Sequence, residues 1–164
     1  ANCMPMGFLQ FHQQPQPRKI IQTAKMILIE YEANYGIRHI YIDGRPLPKQ
    51  GDPQPWWYGY SVGHWEGDTL VVDTTNFTNK TQFRGSGENL HVVERFTRTG
   101  PNTLLYRFTV DDPTTWDKSW TGEYPWNATK ENLYEYACHE GNYSLGGMLR
   151  GARQKEADDA KKSK

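Results

Sequence analysis

His91 and Arg95 are the residue pair in this chain best suited to acid–base chemistry. They are four residues apart in a β-like segment, so their side chains share one face of a strand. A guanidinium beside an imidazole disfavours imidazolium and can also hold an anionic substrate. With a carboxylate such as Asp73 nearby, the pair predicts an acid–base site. A salt-bridged wall of a β-barrel is the alternative, and His139 is a third weak candidate for catalysis.

The sequence predicts no metal site and no cofactor. Cys138, His139 and Glu140 are consecutive, and neighbouring side chains of a strand point to opposite faces. A site that combines His139 with His91 or His64 is the alternative, since imidazole is a common metal ligand. A hydrogen-bonded histidine at a strand end explains the same residues. Phosphate-binding glycine loops and the HExxH pattern are absent from the sequence.

Aromatic residues crowd a proline-rich stretch in the first half of the chain. Consecutive aromatics in such a loop do not all fit one buried face, so some must be exposed, rim a pocket or meet a partner. Plain core packing is the alternative. The predicted ligand-binding residues are Trp56, Trp57, Tyr58, Tyr60, Trp65 and Tyr106.

Cys3 and Cys138 are the only cysteines and lie near opposite ends of the chain. They predict one disulfide, with two unrelated thiols as the alternative. Closing a loop of that length stabilises a fold by about 4–5 kcal/mol at most in the chain-entropy model. A disulfide implies export. Since Ala1 begins no signal peptide, we expect export only if the chain is a processed form.

The elements that must position these residues are mostly strands. Residues 1–18 contain three prolines and no periodicity, and are predicted to be an extended arm. Residues 19–143 are predicted to be a β-barrel domain, and 144–164 a C-terminal helix with a charged tail. Alternating apolar residues and turn signals predict about eight strands in the middle range. Their segments are 26–29, 37–43, 58–65, 69–75, 90–98, 103–110, 118–124 and 133–138.

About eight sequential strands joined by short turns predict an all-β fold. An antiparallel up-and-down barrel of the lipocalin or calycin type, with the C-terminal helix after it, removes exposed strand edges by closing the sheet. A two-sheet β-sandwich is the alternative. Eight strands give a barrel whose interior is filled by side chains or holds one small ligand.

Composition excludes several classes of protein. The chain has 164 residues, with 19 Lys and Arg against 19 Asp and Glu, so its formal net charge is zero. A nucleic-acid binder normally shows a basic excess, so no nucleic-acid partner is predicted. The longest apolar run is too short for a transmembrane segment. Six Trp, ten Tyr and six Phe are too many for a disordered chain.

Four spaced motifs carry a family resemblance that extends over about residues 18–152. They are Gly44-Arg45-Pro46, the run SVGHWEGDTLVVDTTNF at 61–77, LHVVERF at 90–96 and YEYACHEGN at 134–142. In these motifs the chain resembles a family of exported proteins that is abundant in soil Acidobacteria and Proteobacteria. His64 departs from the pattern, because many relatives have Arg there. The resemblance implies a β-rich fold and a periplasmic or secreted location, and it supplies no catalytic residue.

Three functions are consistent with these patterns. The first is an exported barrel that binds a small apolar or aromatic ligand behind an aromatic rim. The second is an accessory or self-assembling subunit that docks on a protein partner, or on other copies of itself, through the arm and exposed aromatics. The third is an enzyme with the His/Arg site inside the barrel. Binding and interaction rank above catalysis because spacing alone brings no catalytic set together.

Overall fold

A single curled sheet of eight strands forms the molecule's frame. The computed structural model describes residues 6–49, 54–81, 83–137, 141 and 143–162. The strands follow one another in the sheet in chain order, and the sheet curls into a half-barrel with a helix after it. The elements are α1 (Phe8–His12), β1 (Arg18–Gln22), β2 (Met26–Tyr31), a 3₁₀ turn (Ala33–Tyr35), β3 (Ile37–Tyr41), β4 (Tyr60–Glu66), β5 (Thr69–Thr75), β6 (His91–Gly100), β7 (Thr103–Asp111), β8 (Trp120–Asn127) and α2 (Ser144–Lys162).

Most neighbouring strands are antiparallel, as the short turns predict. A tight turn, Glu66-Gly67-Asp68, joins β4 and β5, and Gly67 there has a φ of 58° that suits glycine. β3 and β4 are the exception, because they pair in parallel with Ile40 opposite Ser61. Residues 42–59 connect these two strands, and a connection of that length lets the chain return to the same end of the sheet.

Period-two alternation decides which face of the sheet is buried. On β2 the side chains of Ile27, Ile29 and Tyr31 are buried, and the residues between them are half-buried. β6 repeats the pattern with Val92 and Phe96 on the concave face. The all-β, barrel-like prediction with a C-terminal helix is therefore confirmed. The described strands belong to one sheet, so the two-sheet sandwich was the wrong alternative.

The N-terminal arm differs from its prediction. Residues 8–12 form the helix α1 rather than an extended segment, and Phe8, Leu9 and Phe11 are almost completely buried. α1 lies in the concave side of the sheet, where the Phe11 ring contacts the Tyr31 ring at 5.1 Å between centroids. Three apolar residues in five are too few to show helical periodicity in the sequence, yet burial against the sheet stabilises the turn.

The chain after β8 also differs from its prediction. Residues 133–137 form no strand, although 133–138 were predicted to be one. Instead, the segment crosses toward the 3₁₀ turn, where the Tyr134 backbone N–H donates to the Glu32 carboxylate at 2.9 Å. None of the described α2 side chains is buried. No helix in the described ranges is both long enough and apolar enough to cross a membrane.

Candidate functional site

A buried ion pair lies at the centre of the concave face. The Arg38 guanidinium on β3 donates to both carboxylate oxygens of Glu94 on β6, with Nη1 to Oε1 at 3.0 Å. Arg38 is 1% exposed and Glu94 is fully buried. The remaining guanidinium donors bond the hydroxyls of Ser61 and Thr74. Two buried charges are tolerated only when paired and hydrogen-bonded, and this fork geometry meets both conditions.

Three aromatic residues complete the buried network. The Tyr106 hydroxyl donates to Glu94 Oε1 at 2.9 Å, and the His12 Nε2 lies 2.5 Å from the Tyr31 hydroxyl. Burial lowers the pKa of His12 well below its usual value, and the nearby Arg38 lowers it further. Burial raises the pKa of Tyr106, with the Glu94 carboxylate acting in the same direction. His12 is therefore neutral at pH 7.

Exposure decides what this network does. His12, Tyr31, Arg38, Glu94 and Tyr106 are each between 0% and 2% exposed, so no substrate reaches them in this conformation. Most of their polar groups bond one another, whereas His12 Nδ1 has no hydrogen-bond partner among the described residues. The network therefore fixes how β2, β3, β6, β7 and α1 pack, and the accessible site lies elsewhere.

An open cavity of about 700 Å³ lies on the same concave face, and no residue of α1 lines it. We call it the Trp65 cavity. Phe96 forms part of its wall two residues along β6 from Glu94, and Trp65 stands at the end of β4 with 49% of its surface exposed. Polar groups are few. The apolar lining consists of Ile20, Ile27, Ile29, Ile40, Trp65, Leu70, Phe96 and Leu104, and the polar side chains are Gln22, Asp68 and Arg98.

A second, larger opening follows the gap between the two end strands, β1 and β8. We call this opening of about 1400 Å³ the seam cleft. Its walls include the loop 13–17 before β1 and residues 128–133 after β8, with Trp126 between them. The Arg18 guanidinium stacks over the Trp126 ring at 4.4 Å. The half-barrel is thus open along one side.

The six predicted ligand-binding residues do not form one rim. Trp65 lines the Trp65 cavity, whereas Tyr106 is fully buried in the polar network. Tyr58 is half-buried against Phe11 of α1, at 5.8 Å between ring centroids. Trp57 is half-buried beside it. Trp57 and Tyr58 precede β4, and Tyr106 lies on β7. On β4 itself Tyr60 and Trp65 have opposite parity, so they point to opposite faces of the sheet.

Trp56 and Tyr60 belong to a convex-face cluster that we call the Arg45 platform. The Arg45 guanidinium stacks 3.7 Å above the Tyr41 ring and donates to the Tyr60 hydroxyl at 3.0 Å. Asp43 accepts two further hydrogen bonds from Arg45 side-chain nitrogens, which lowers the pKa of Asp43 to about 2. Trp56 packs edge-on against Tyr60 and stays 45% exposed. The platform is therefore a preformed aromatic surface.

The acid–base candidates do not face the barrel interior. His91 and Arg95 share one face as predicted, but that face is the convex one. His91 Nε2 lies 3.1 Å from Asp73 Oδ1, so the predicted partner is present. Arg95 instead donates from Nη2 to the Glu66 carboxylate, 2.5 Å away at the last residue of β4. Neither residue lines either opening described above, so the prediction of a His/Arg site inside the barrel is wrong.

Several predicted residues lie outside the described part of the chain. These are both disulfide candidates, Cys3 and Cys138, and the catalytic candidate His139. The disulfide therefore stays a prediction. Across the described residues, no three side chains of the His, Cys, Asp and Glu types gather as ligands for one metal ion.

The sequence did contain a signal for the residues that were missed. Arg38 is in phase with buried Ile40, and Glu94 is in phase with Val92 and Phe96, so two opposite charges alternate into the core. Arg98 is in phase with Phe96 in the same way. A charged residue at an inward position predicts either a buried partner or a cavity.

The architecture defines a class of protein, an eight-stranded half-barrel with an apolar cavity on its concave face. No protein-family model, curated protein or solved structure matches this chain. The function is therefore argued from the site itself.

Proposed function

We propose that this protein binds a small apolar or aromatic ligand in the Trp65 cavity. The observation that carries the proposal is a solvent-open, concave space lined mainly by aliphatic and aromatic side chains. Small-molecule sites are typically apolar, enclose about 300–1,000 Å³ and contain a few polar groups that orient the ligand. The cavity has that volume, and Gln22, Asp68 and Arg98 are its polar side chains. Ile20 and Trp65, 41% and 49% exposed, would lose contact with water when a ligand enters.

Periplasmic or secreted location belongs to the same proposal. It is supported by the family resemblance and by the pair Cys3 and Cys138, which a disulfide would join in an oxidising compartment. Reduction of protein purified from its source should add about 2 Da per chain if one disulfide is present, since two sulfur atoms each gain a hydrogen. Unchanged mass on reduction would remove this support.

Isothermal titration calorimetry with naphthalene and 1-octanol tests the ligand site. Ile20→Trp adds bulk to the cavity wall at a residue 41% exposed, where the fold tolerates it. Ile37→Trp is the matched control, because Ile37 is 51% exposed and does not line the cavity. We expect the wild type and the control to bind equally, and Ile20→Trp to bind at least about tenfold more weakly. Absence of binding to both probes would overturn the proposal, as would undiminished binding by Ile20→Trp.

A second candidate function is docking of a protein partner or another copy through the Arg45 platform. Trp, Tyr and Arg dominate the energetics of interfaces, and this platform presents all three in a fixed arrangement. The arm no longer supports docking, because α1 packs on the chain's own sheet. Sedimentation velocity of the wild type and Trp56→Ala tests self-association. A dimer that the variant abolishes supports docking between copies, whereas a wild-type monomer at all concentrations excludes it.

A further inference from the structure

The Trp65 cavity and the seam cleft adjoin each other. Ile20 on β1, Leu104 on β7 and Arg98 on β6 line both openings. The two spaces are therefore neighbours that share these three side chains as a common border. One elongated molecule fits the two spaces better than two unrelated ones, provided its two ends differ in polarity.

Six carboxamide side chains line the seam cleft. Carboxamide groups have both donors and acceptors, which is the pairing that hydroxyl groups require. Arg18, Lys19 and Arg98 are offset in part by Glu30 and Glu131, so the cleft has little net charge. The carboxamide side chains that line it are Gln13, Gln14, Gln16, Asn102, Asn127 and Asn132.

Gln16 has an unused acceptor in this cleft. Within the described residues, its buried side-chain oxygen accepts no hydrogen bond. A buried polar atom without a partner is costly, and a ligand that donates a hydrogen bond removes that cost. A carboxylate or phosphate ester has no proton to donate at neutral pH, whereas a hydroxyl has one.

The Arg18 guanidinium already makes hydrogen bonds and a stacking contact within the protein. Its guanidinium donates to the backbone carbonyls of His12 and Gln14, at 3.2 and 2.9 Å, and its face lies on Trp126. An anion paired with Arg18 would have to displace these contacts. The other two cations of the cleft, Lys19 and Arg98, are matched in number by Glu30 and Glu131. The cleft is thus better suited to a neutral group than to a charged one.

We propose that the seam cleft binds a neutral, hydroxyl-rich head group, a sugar or polyol, whose apolar tail occupies the Trp65 cavity. Gln16, whose half-buried side chain must turn its oxygen toward the cleft, accepts a hydrogen bond from a head-group hydroxyl, and the other carboxamides complete the shell. The inference rests on the proposed function, because the tail uses the same apolar cavity. It adds the chemical class of the ligand, an uncharged glycoside-like amphiphile.

Four probes below their micelle concentrations test this ligand class by isothermal titration calorimetry. They are octyl β-D-glucoside, 1-octanol, octanoate and glucose. We expect the glucoside to bind at least tenfold more tightly than octanol, octanoate no more tightly than octanol, and glucose weakly. If octanol and the glucoside both fail to bind, the proposed function fails with the inference. If octanol binds and the glucoside gains nothing, or octanoate binds best, only the inference is overturned.

A glutamine variant locates the head group. Gln16→Leu removes the unused acceptor at similar size, and Gln154→Leu on exposed α2 is the matched control. Gln16→Leu should lower glucoside affinity at least fivefold while leaving naphthalene affinity unchanged, which also shows that the variant is folded. The control should match the wild type for both probes. Equal losses for naphthalene and glucoside, or no loss for either, would contradict a head group at Gln16.

Discussion

At the scale of single residues, the core contains a buried ion pair between Arg38 and Glu94. Each ion loses its hydration on burial, and only close pairing with further hydrogen bonds offsets that loss. Burial alone would lower the pKa of Arg38, but the adjacent Glu94 carboxylate raises it above its usual value. The Phe8 ring of α1 lies 3.7 Å from the guanidinium and covers it. The pair thereby joins α1 to β3 and β6.

Removal of one charge of the pair should destabilise the protein strongly. Glu94→Gln leaves the Arg38 guanidinium buried without a counter-charge, and breaking such a pair costs about 3–5 kcal/mol. Urea denaturation followed by circular dichroism measures the loss. A change in the free energy of unfolding below about 1 kcal/mol would show that the pair is hydrated or rearranged.

The double variant Arg38→Met with Glu94→Gln separates charge from packing. It removes both ions and retains an amide oxygen to accept from Tyr106. Replacing a buried pair by neutral groups of similar volume is often nearly neutral. We expect the double variant to recover more than half of the stability that Glu94→Gln loses. A further loss in the double variant would mean that the guanidinium stabilises chiefly through Ser61 and Thr74.

At the scale of elements, the two helices have opposite relations to the sheet. α1 is five residues long and contributes Phe8 and Phe11 to the core, each 1% exposed. α2 is nineteen residues long and buries none of its described side chains. Its apolar residues Leu145, Met148 and Leu149 stay at least half exposed. The short helix is therefore a structural part of the half-barrel, and the long one is not.

Element prediction from the sequence succeeded where alternation runs over many residues. β5 and β7 were located almost to the residue, because Leu104, Tyr106 and Phe108 repeat with period two between clear turns. α1 was missed because Phe8–His12 is little more than one helical turn and its helical form depends on tertiary burial. Trp65 was identified as a site residue, but Arg98 and Phe96 were not. Their shared phase along β6 predicts an inward face, but which cavity that face borders depends on the register of β6 in the folded sheet.

Matched truncations of side chains test the different roles of the helices. Phe8→Ala removes a fully buried ring and should lower the free energy of unfolding by about 3–5 kcal/mol. Leu149→Ala, at a residue 50% exposed on α2, should change it by less than about 0.5 kcal/mol. Both values come from urea denaturation at equilibrium. Comparable losses in the two variants would show that α2 packs on the protein in solution.

At the scale of the whole molecule, α1 divides the concave side of the half-barrel. The helix covers the polar network, where the His12 ring bonds the Tyr31 hydroxyl and packs edge-on against the Tyr106 ring. The Trp65 cavity occupies the remaining concave surface, and Phe96 belongs to both regions because it contacts the His12 ring and lines the cavity. A buried polar network and an open apolar cavity are thus built on the same strands. The buried network contains His12 in its neutral form.

Global stability should therefore fall in mild acid through His12. The unfolded imidazole takes up a proton near its ordinary pKa of 6.5, whereas burial and Arg38 hold the pKa of the folded imidazole well below that value. Below about pH 6.5 the unfolded state binds more protons, so stability decreases by up to about 1.4 kcal/mol per pH unit until the folded pKa is reached.

His12→Gln removes this titration and keeps a polar group beside Tyr31. Between about pH 7.5 and pH 5.5, urea denaturation should show the wild type losing about 1.4 kcal/mol more than His12→Gln. Parallel losses in the two proteins would mean that folded His12 takes up its proton in the same pH range as the unfolded chain. A smaller loss in the wild type would mean that Glu94, 3.6 Å away, stabilises the imidazolium.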